Sequence, residues 1–320
     1  MDIAVFIRKV FVFYGVFLSF AGFSVTPIKP DTSPFMRADN PLSHMRLDPK
    51  GRFVAYTGDN DQTLSVLDLK TKAIYQVSQA HVGGSFFWAP DGFRLFYREL
   101  VKKQEKGPTT SVVKAYDCAL AKSVEIDALP FETGLLTFDP RDLRFAMLSP
   151  KGIRIKRIYF PDERLAKWQV AQRKETGKWL ATQGAILWMT QGGLALRQMD
   201  DDKSGVESFD LSPDGQSIAW ATRSLRVYTS KAGEKPIFVG FGRDPAWHPE
   251  KHLLVFSGAR MVGSTPVSFD IRISDGRGSG KFLTVTEFSD ERWPQWYPDG
   301  NKILYTISKT TDMFLMDFVP

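Results

Sequence analysis

Cysteine is nearly absent: Cys118 stands alone, so no internal disulfide can staple the chain. Histidine is scarce too, with His44, His81, His248 and His252 the only four. That thins the set of metal ligands and general bases. No Gly-x-Ser-x-Gly elbow is present, so serine hydrolase chemistry of that type has no carrier. Gly276-Arg-Gly-Ser-Gly-Lys281 lacks the spacing of a phosphate loop and is expected to be a hairpin loop. No Asn-x-Ser/Thr acceptor occurs. Beyond residue 21 no apolar run is long enough to span a bilayer.

What the chain does contain is a phrase repeated six times: an aromatic or apolar residue, one further residue, Pro, a charged residue, usually Gly, then an alternating apolar run. The copies are Leu47-Asp-Pro-Lys-Gly-Arg-Phe-Val-Ala-Tyr56, Trp88-Ala-Pro-Asp-Gly-Phe-Arg-Leu-Phe-Tyr97 and Phe138-Asp-Pro-Arg-Asp-Leu-Arg-Phe-Ala-Met147. Leu211-Ser-Pro-Asp-Gly-Gln-Ser-Ile-Ala-Trp220, Trp247-His-Pro-Glu-Lys-His-Leu-Leu-Val-Phe256 and Trp296-Tyr-Pro-Asp-Gly-Asn-Lys-Ile-Leu-Tyr305 follow. Pro presets φ, Asp bonds the backbone ahead of it and Gly accepts positive φ, so each copy is a turn between two strands. Both faces of the following strand are apolar, which predicts burial on both sides. A second strand pair follows in several copies, most clearly Thr63 to Leu69 and Ile74 to Val77.

Four short antiparallel strands in a unit of roughly 40 residues predict an all-β fold, a β-propeller of four-stranded antiparallel blades. The motif prolines are 41, 50, 73, 36 and 49 residues apart. The 73-residue gap accommodates two units, the second being Trp179–Thr182, Ala185–Met189 and Leu194–Met199. This predicts seven blades, with six plus an insertion as the alternative. The run Met313 to Phe318 reads as a third strand, so the fourth strand of the last blade is expected from Phe23–Met36, whose prolines suit an outer strand. The expected organisation is a signal peptide over 1–21, a linker and ring-closing strand over 22–43, and the propeller over 44–320.

Arg8 and Lys9 precede the apolar run Val10–Ala21, the pattern of an export signal, with an uncleaved anchor as the alternative. The expected compartment is the periplasm or another exported location. The net charge is +6, and residues 151–178 account for all of it, with nine Lys/Arg against three acids. Within this segment Arg154, Lys156, Arg157, Arg164, Lys167, Arg173 and Lys174 are candidate contacts for anionic lipid or an acidic partner, or a solvated face. Pro161 to Trp179 is read as a short helix or a hairpin. Export argues against nucleic acid. His44 and His81 each precede a motif strand and are candidates for the central channel. His248 and His252 straddle a turn, and Asp59-Asn-Asp61 and Asp200-Asp-Asp202 read as solvated acidic turns; no metal or cofactor is expected.

The Pro-Asp-Gly phrase followed by an apolar strand resembles the PD-type propeller repeat, found in the propeller of the periplasmic Tol-B protein and in those of prolyl-oligopeptidase-type enzymes. Leu211 to Trp220, Trp88 to Tyr97 and Trp296 to Tyr305 are most similar to it. The resemblance implies a stand-alone propeller over residues 44–318. The expected function is a monomeric, non-enzymatic scaffold for an envelope protein or peptide. A propeller enzyme acting on polysaccharide or ester, and a membrane-surface binder using 151–178, are the alternatives.

Overall fold

The computed structural model describes residues 33–318, apart from 59, 90, 103–108, 131–135, 140–143, 150–151, 158–176, 183–184, 191–192, 197–203, 232–233 and 287–288. Residues 102, 109 and those between 127 and 203 are described through their backbone alone. The described residues form strands and turns and contain no helix.

The strands fall into antiparallel sheets in chain order. The first sheet contains β2 (Leu42–Leu47), β3 (Phe53–Gly58), β4 (Thr63–Asp68) and β5 (Ile74–Ser78). The second contains β6 (Phe86–Trp88), β7 (Arg94–Lys102), β8 (Thr109–Asp117) and β9 (Lys122–Pro130). Two three-stranded sheets follow, β10 (Leu136–Asp139) to β12 (Gly152–Arg157) through β11 (Arg144–Ser149), and β13 (Gly177–Thr182) to β15 (Gly193–Leu196) through β14 (Ala185–Thr190). The next is seven-stranded: β16 (Val206–Leu211), β17 (Ser217–Thr222), β18 (Arg226–Lys231), β19 (Ile237–Trp247), β20 (Leu254–Val262), β21 (Thr265–Ser274) and β22 (Gly280–Phe282). Its long strand β19 pairs with β18 through Ile237–Phe241 and with β20 through Gly242–Trp247. The last sheet joins β23 (Glu291–Trp296), β24 (Lys302–Ile307) and β25 (Asp312–Asp317) to β1 (Met36–Arg37) from the other end of the chain.

The Pro-Asp-Gly copies are turns, as their chemistry requires. Asp91 Oδ1 accepts the N–H groups of Phe93 and Arg94, Asp214 that of Gln216 and Asp299 that of Asn301. The variable residue before Pro does similar work. Asp48 accepts from Lys50, Arg52 and Phe53, the Ser212 hydroxyl from Ser217, and His248 Nδ1 from Glu250 and Lys251. A strand-to-strand turn that is covered by its neighbour cannot leave these donors to water, so an acceptor side chain satisfies them.

Alternate residues of one strand pack against different neighbours. On β3, Phe53 and Ala55 meet Phe86, Trp88, Leu95 and Tyr97 of the second sheet. Val54 and Tyr56 meet Met36, Trp293, Leu304 and Met313 of the last sheet. On β24, Leu304 faces the first sheet, whereas Ile303 and Tyr305 face Val255, Ile271 and Leu283. The first and last sheets are each therefore the filling between two others, which is why their strands are apolar on both faces. Burying each large side chain contributes roughly 1.5–3 kcal/mol.

The aromatic residue two before Pro ties sheets together. Trp88 Nε1 donates to the carbonyl of Arg46 at 3.0 Å, and Trp296 Nε1 to that of Ala246 at 3.2 Å. Each Trp thus reaches a strand of the preceding sheet, β2 from Trp88 and β19 from Trp296. At the same end of the strands the turns stack: Gly300, at φ +69°, leaves space for His248, which a Cβ would approach to 2.4 Å. One strand of each sheet, and both β16 and β19 of the seven-stranded one, lie side by side: β6 by β2, β2 by β23, β23 by β19, β19 by β16, β16 by β13 and β13 by β10. This is the layout of a β-propeller, with these strands toward the axis.

Candidate functional site

A cavity of about 340 Å³ lies among the axial strands, lined by residues of β2, β6, β16, β19 and β23 and of the loops beside them. Its wall follows the repeat. The residue three before each motif Pro supplies Arg46, Phe87 and Gln295; the residue five before supplies His44, Ser85, Ser208, Asp244 and Trp293. Strand alternation sends both sets to the same face.

Four of these strands are irregular where they meet the cavity. Register shifts fall between Leu42 and His44, Val206 and Ser208, Arg243 and Ala246, and Arg292 and Gln295. A bulge turns side chains out of the ladder and into a site. Two bulges hold non-glycine residues in the left-handed region, Asp244 at φ 57° and Trp293 at φ 51°, each followed by Pro. Such backbone costs of order 1–3 kcal/mol per residue and is kept where the surroundings impose it. Here Asp244 Oδ2 binds Arg292 Nε at 2.7 Å and accepts the Ser257 hydroxyl at 3.3 Å, while Ser208 Oγ accepts the Asp244 N–H at 3.1 Å.

The acids of the cavity are paired. Asp61 Oδ1 lies 3.0 Å from His44 Nδ1 and accepts the Thr57 hydroxyl at 3.0 Å. The bond to His44 holds the Asp61 carboxyl below the usual range against burial. Asp244 is buried, which alone would raise it, yet Arg292 and then Arg243 and His44 hold it down. Glu207 Oε1 sits 3.3 Å from Arg243 Nη1, and burial raises its carboxyl despite that partner. The remaining cations are Arg46 and Arg223, and Arg46 lies over the Phe87 ring at 4.6 Å. Trp293 stands 5.6 Å from His44, and Phe87 6.1 Å from Phe209, adding aromatic faces.

His44 and His81 both line this cavity; His44 bonds Asp61, and His81 Nδ1 lies 3.2 Å from Gln62 Nε2. Asp61, read from sequence as part of a solvated turn, is instead half-buried in the wall, because the turn folds back over β2. Arg154, Lys156 and Arg157 fall on β12, where Arg154 pairs with Met147, Lys156 with Phe145 and Arg157 with Arg144. Arg164, Lys167, Arg173 and Lys174, most of Pro161–Trp179, and Asp200–Asp202 lie outside the described residues. His248 and His252 bond backbone oxygens of Gly300 and Asp275 and serve the turns. Burial raises the Cys118 thiol to about 12, the condition of an inert packing residue. Among the described residues, no group of His, Cys, Asp and Glu is arranged to hold a metal.

The residues that sequence reasoning missed are Arg46, Glu207, Arg223, Asp244, Arg292 and Trp293. Alignment of the six copies on their prolines would have flagged Arg46, Asp244 and Trp293, since a lumen position recurs at a constant offset. Arg223 sits in a turn, and Glu207 and Arg292 reach the cavity through bulges that leave no mark in the repeat.

No protein-family model matches the chain, and no curated protein matches it. Solved structures do. The β-propeller domain of Cps50 (Swd1) from Myceliophteria thermophila is similar over 91% of this chain and 100% of its own, with TM-score 0.58 and 12% identity. A chain of the mitotic checkpoint complex is similar over 100% of both chains, with TM-score 0.57 and 11% identity. At such identities the likeness concerns the fold: the chain is a β-propeller.

Proposed function

We propose that this chain is an exported, monomeric scaffold of the PD-repeat kind that binds a protein or peptide of the bacterial envelope at the mouth of its channel. The observation that carries the reading is the cavity itself. It offers ionised acids fixed by His44 and Arg292, guanidinium donors and aromatic faces in one enclosure, all held by a scaffold of paired strands. Asp61 and Asp244 are kept as ions and so act as acceptors rather than as proton donors. Polar groups at fixed positions around aromatic anchors are what recognition of a partner needs.

In this reading the ring has seven blades. The seven-stranded sheet divides at β19, whose halves serve as the outer strand of one blade and the axial strand of the next. The pairing of β1 with β25 closes the circle, supported by the contact of the Gly51 turn with Pro298. Arg8 and Lys9 before Val10–Ala21 direct export.

Affinity capture from envelope extracts tests the function. The wild-type chain is expected to retain a reproducible partner, and His81→Glu, which alters the cavity wall away from the core, to lose it. Capture of no reproducible partner, or equal capture by the variant, would refute the reading.

A further inference from the structure

Not every arginine of the cavity wall is paired with one of its acids. Each acid in the wall has its own base: Asp61 has His44, Glu207 has Arg243 and Asp244 has Arg292. Arg46 and Arg223 remain, and neither has an ion-pair or hydrogen-bond partner for its side chain among the described residues. Arg46 is half-buried, and what its side chain faces is the cavity. The two acids whose fields reach it are engaged: Asp244 binds Arg292, and Asp210 Oδ2 accepts the Trp247 N–H at 2.8 Å.

The N–H groups of a half-buried guanidinium that faces a cavity are open to water or to a ligand that accepts them. Phe87 covers one face of the group, at 4.6 Å. Stacking of this kind leaves the in-plane N–H fork free at the edge, where it matches the two oxygens of a planar carboxylate. Beyond Phe87 the wall continues as Phe209, and around it stand Ser85, Ser208 and Gln295, which donate and accept hydrogen bonds. Three ionised or ionisable acids in the same wall disfavour a multiply charged anion.

From this we infer that the channel cavity is a binding site for a singly charged carboxylate, gripped by the Arg46 fork, with Arg223 adding charge from the turn between β17 and β18. The carboxylate belongs either to a free organic acid or to the C-terminus of a peptide that enters the mouth. The inference is independent of whether a folded partner docks on the rim.

The experiment follows the arginine Nε–Hε signals of the 15N-arginine-labelled full chain during titration. The probes are acetate, triglycine, triglycine amide and inorganic phosphate. The Arg46 signal is assigned by its loss in Arg46→Lys. Acetate and triglycine are expected to move it saturably, and triglycine amide to leave it in place. Acetate binding as tightly as triglycine identifies a free acid, and triglycine binding about tenfold tighter identifies a peptide terminus. Arg46→Lys keeps the charge but loses the fork, and is expected to weaken triglycine binding about tenfold. That binding is read from the remaining arginine signals. Should Arg46→Lys not fold, Arg223→Gln, on an exposed turn, is expected to weaken binding severalfold with an unchanged melt. No saturable shift with either carboxylate at tens of millimolar overturns the site. So does undiminished binding in Arg46→Lys or, where that variant does not fold, in Arg223→Gln. Tighter binding of phosphate than of acetate overturns its assignment to a carboxylate.

Discussion

Glu291 shows how one side chain can set a pH response in this protein. It is buried at the start of β23, accepts the Ile271 N–H at 3.0 Å and the Thr284 hydroxyl, and burial raises its carboxyl to about 7. An unfolded glutamate titrates lower, so between the two values the folded state binds the extra proton. This contribution to stability is fully present below the unfolded value and is lost as pH rises through about 7. Urea denaturation is expected to show stability falling from pH 5 to pH 8, and Glu291→Gln to flatten that slope. An equal slope in wild type and variant would show that Glu291 is not responsible. Other groups titrate in the same interval, so the difference between the two proteins is the quantity to read. Residue identity matters equally in the turns, where Asp48, Ser212 and His248 share one duty with different acceptor atoms. Asp48→Ala leaves three N–H groups of the first turn without that acceptor, and a loss of about 1–3 kcal/mol is expected in denaturant titration.

Between elements, the indole bonds matter most. Trp88 and Trp296 each donate across a sheet boundary to a carbonyl of an axial strand, so the aromatic residue of the repeat is a tie between neighbours as well as the end of a strand. Trp296 also packs edge-on against His248 at 4.6 Å and Phe318 at 5.0 Å. Trp296→Phe removes the donor and leaves the Ala246 carbonyl unmatched, which is expected to cost about 1–3 kcal/mol in equilibrium denaturation. A variant of wild-type stability would show that the indole bond contributes nothing. Sequence reading placed this Trp at the end of a strand but not across the boundary, because the partner carbonyl lies about 40–50 residues away and belongs to another copy.

At the scale of the whole molecule, β1 is bound to the last strand of the described chain. Phe35 and Ala38 donate to the carbonyls of Met313 and Thr311, both at 2.8 Å, and Met36 and Ala38 join Leu304 and Met313 in the core beside the first sheet. If this pairing closes the ring, deletion of residues 22–40 exposes the edge of β25 and the apolar face of β3, and the protein is expected to unfold or aggregate. A melting curve identical to wild type would refute closure. Because the first and last sheets pack against each other, loss of this junction uncovers a face of both.

Much of the architecture was legible in the chain. The strands after each Pro-Asp-Gly, the second hairpins and the three degenerate strands of residues 177–196 follow from turn chemistry and alternation, which are local and repeat six times over. His44 and His81, candidates for the channel from sequence, both line the cavity, His81 from a loop outside the repeat offset. Tertiary structure alone decided the site's chemistry. That Asp61 faces His44, that Asp244 is held by Arg292, and that Arg46 and Arg223 are left over depend on bulges and on contacts between residues 17 to 48 apart in the chain. Secondary structure answers to neighbours in the chain. Pairing of charges answers to neighbours in space, and those exist only once the sheets are assembled around a common axis.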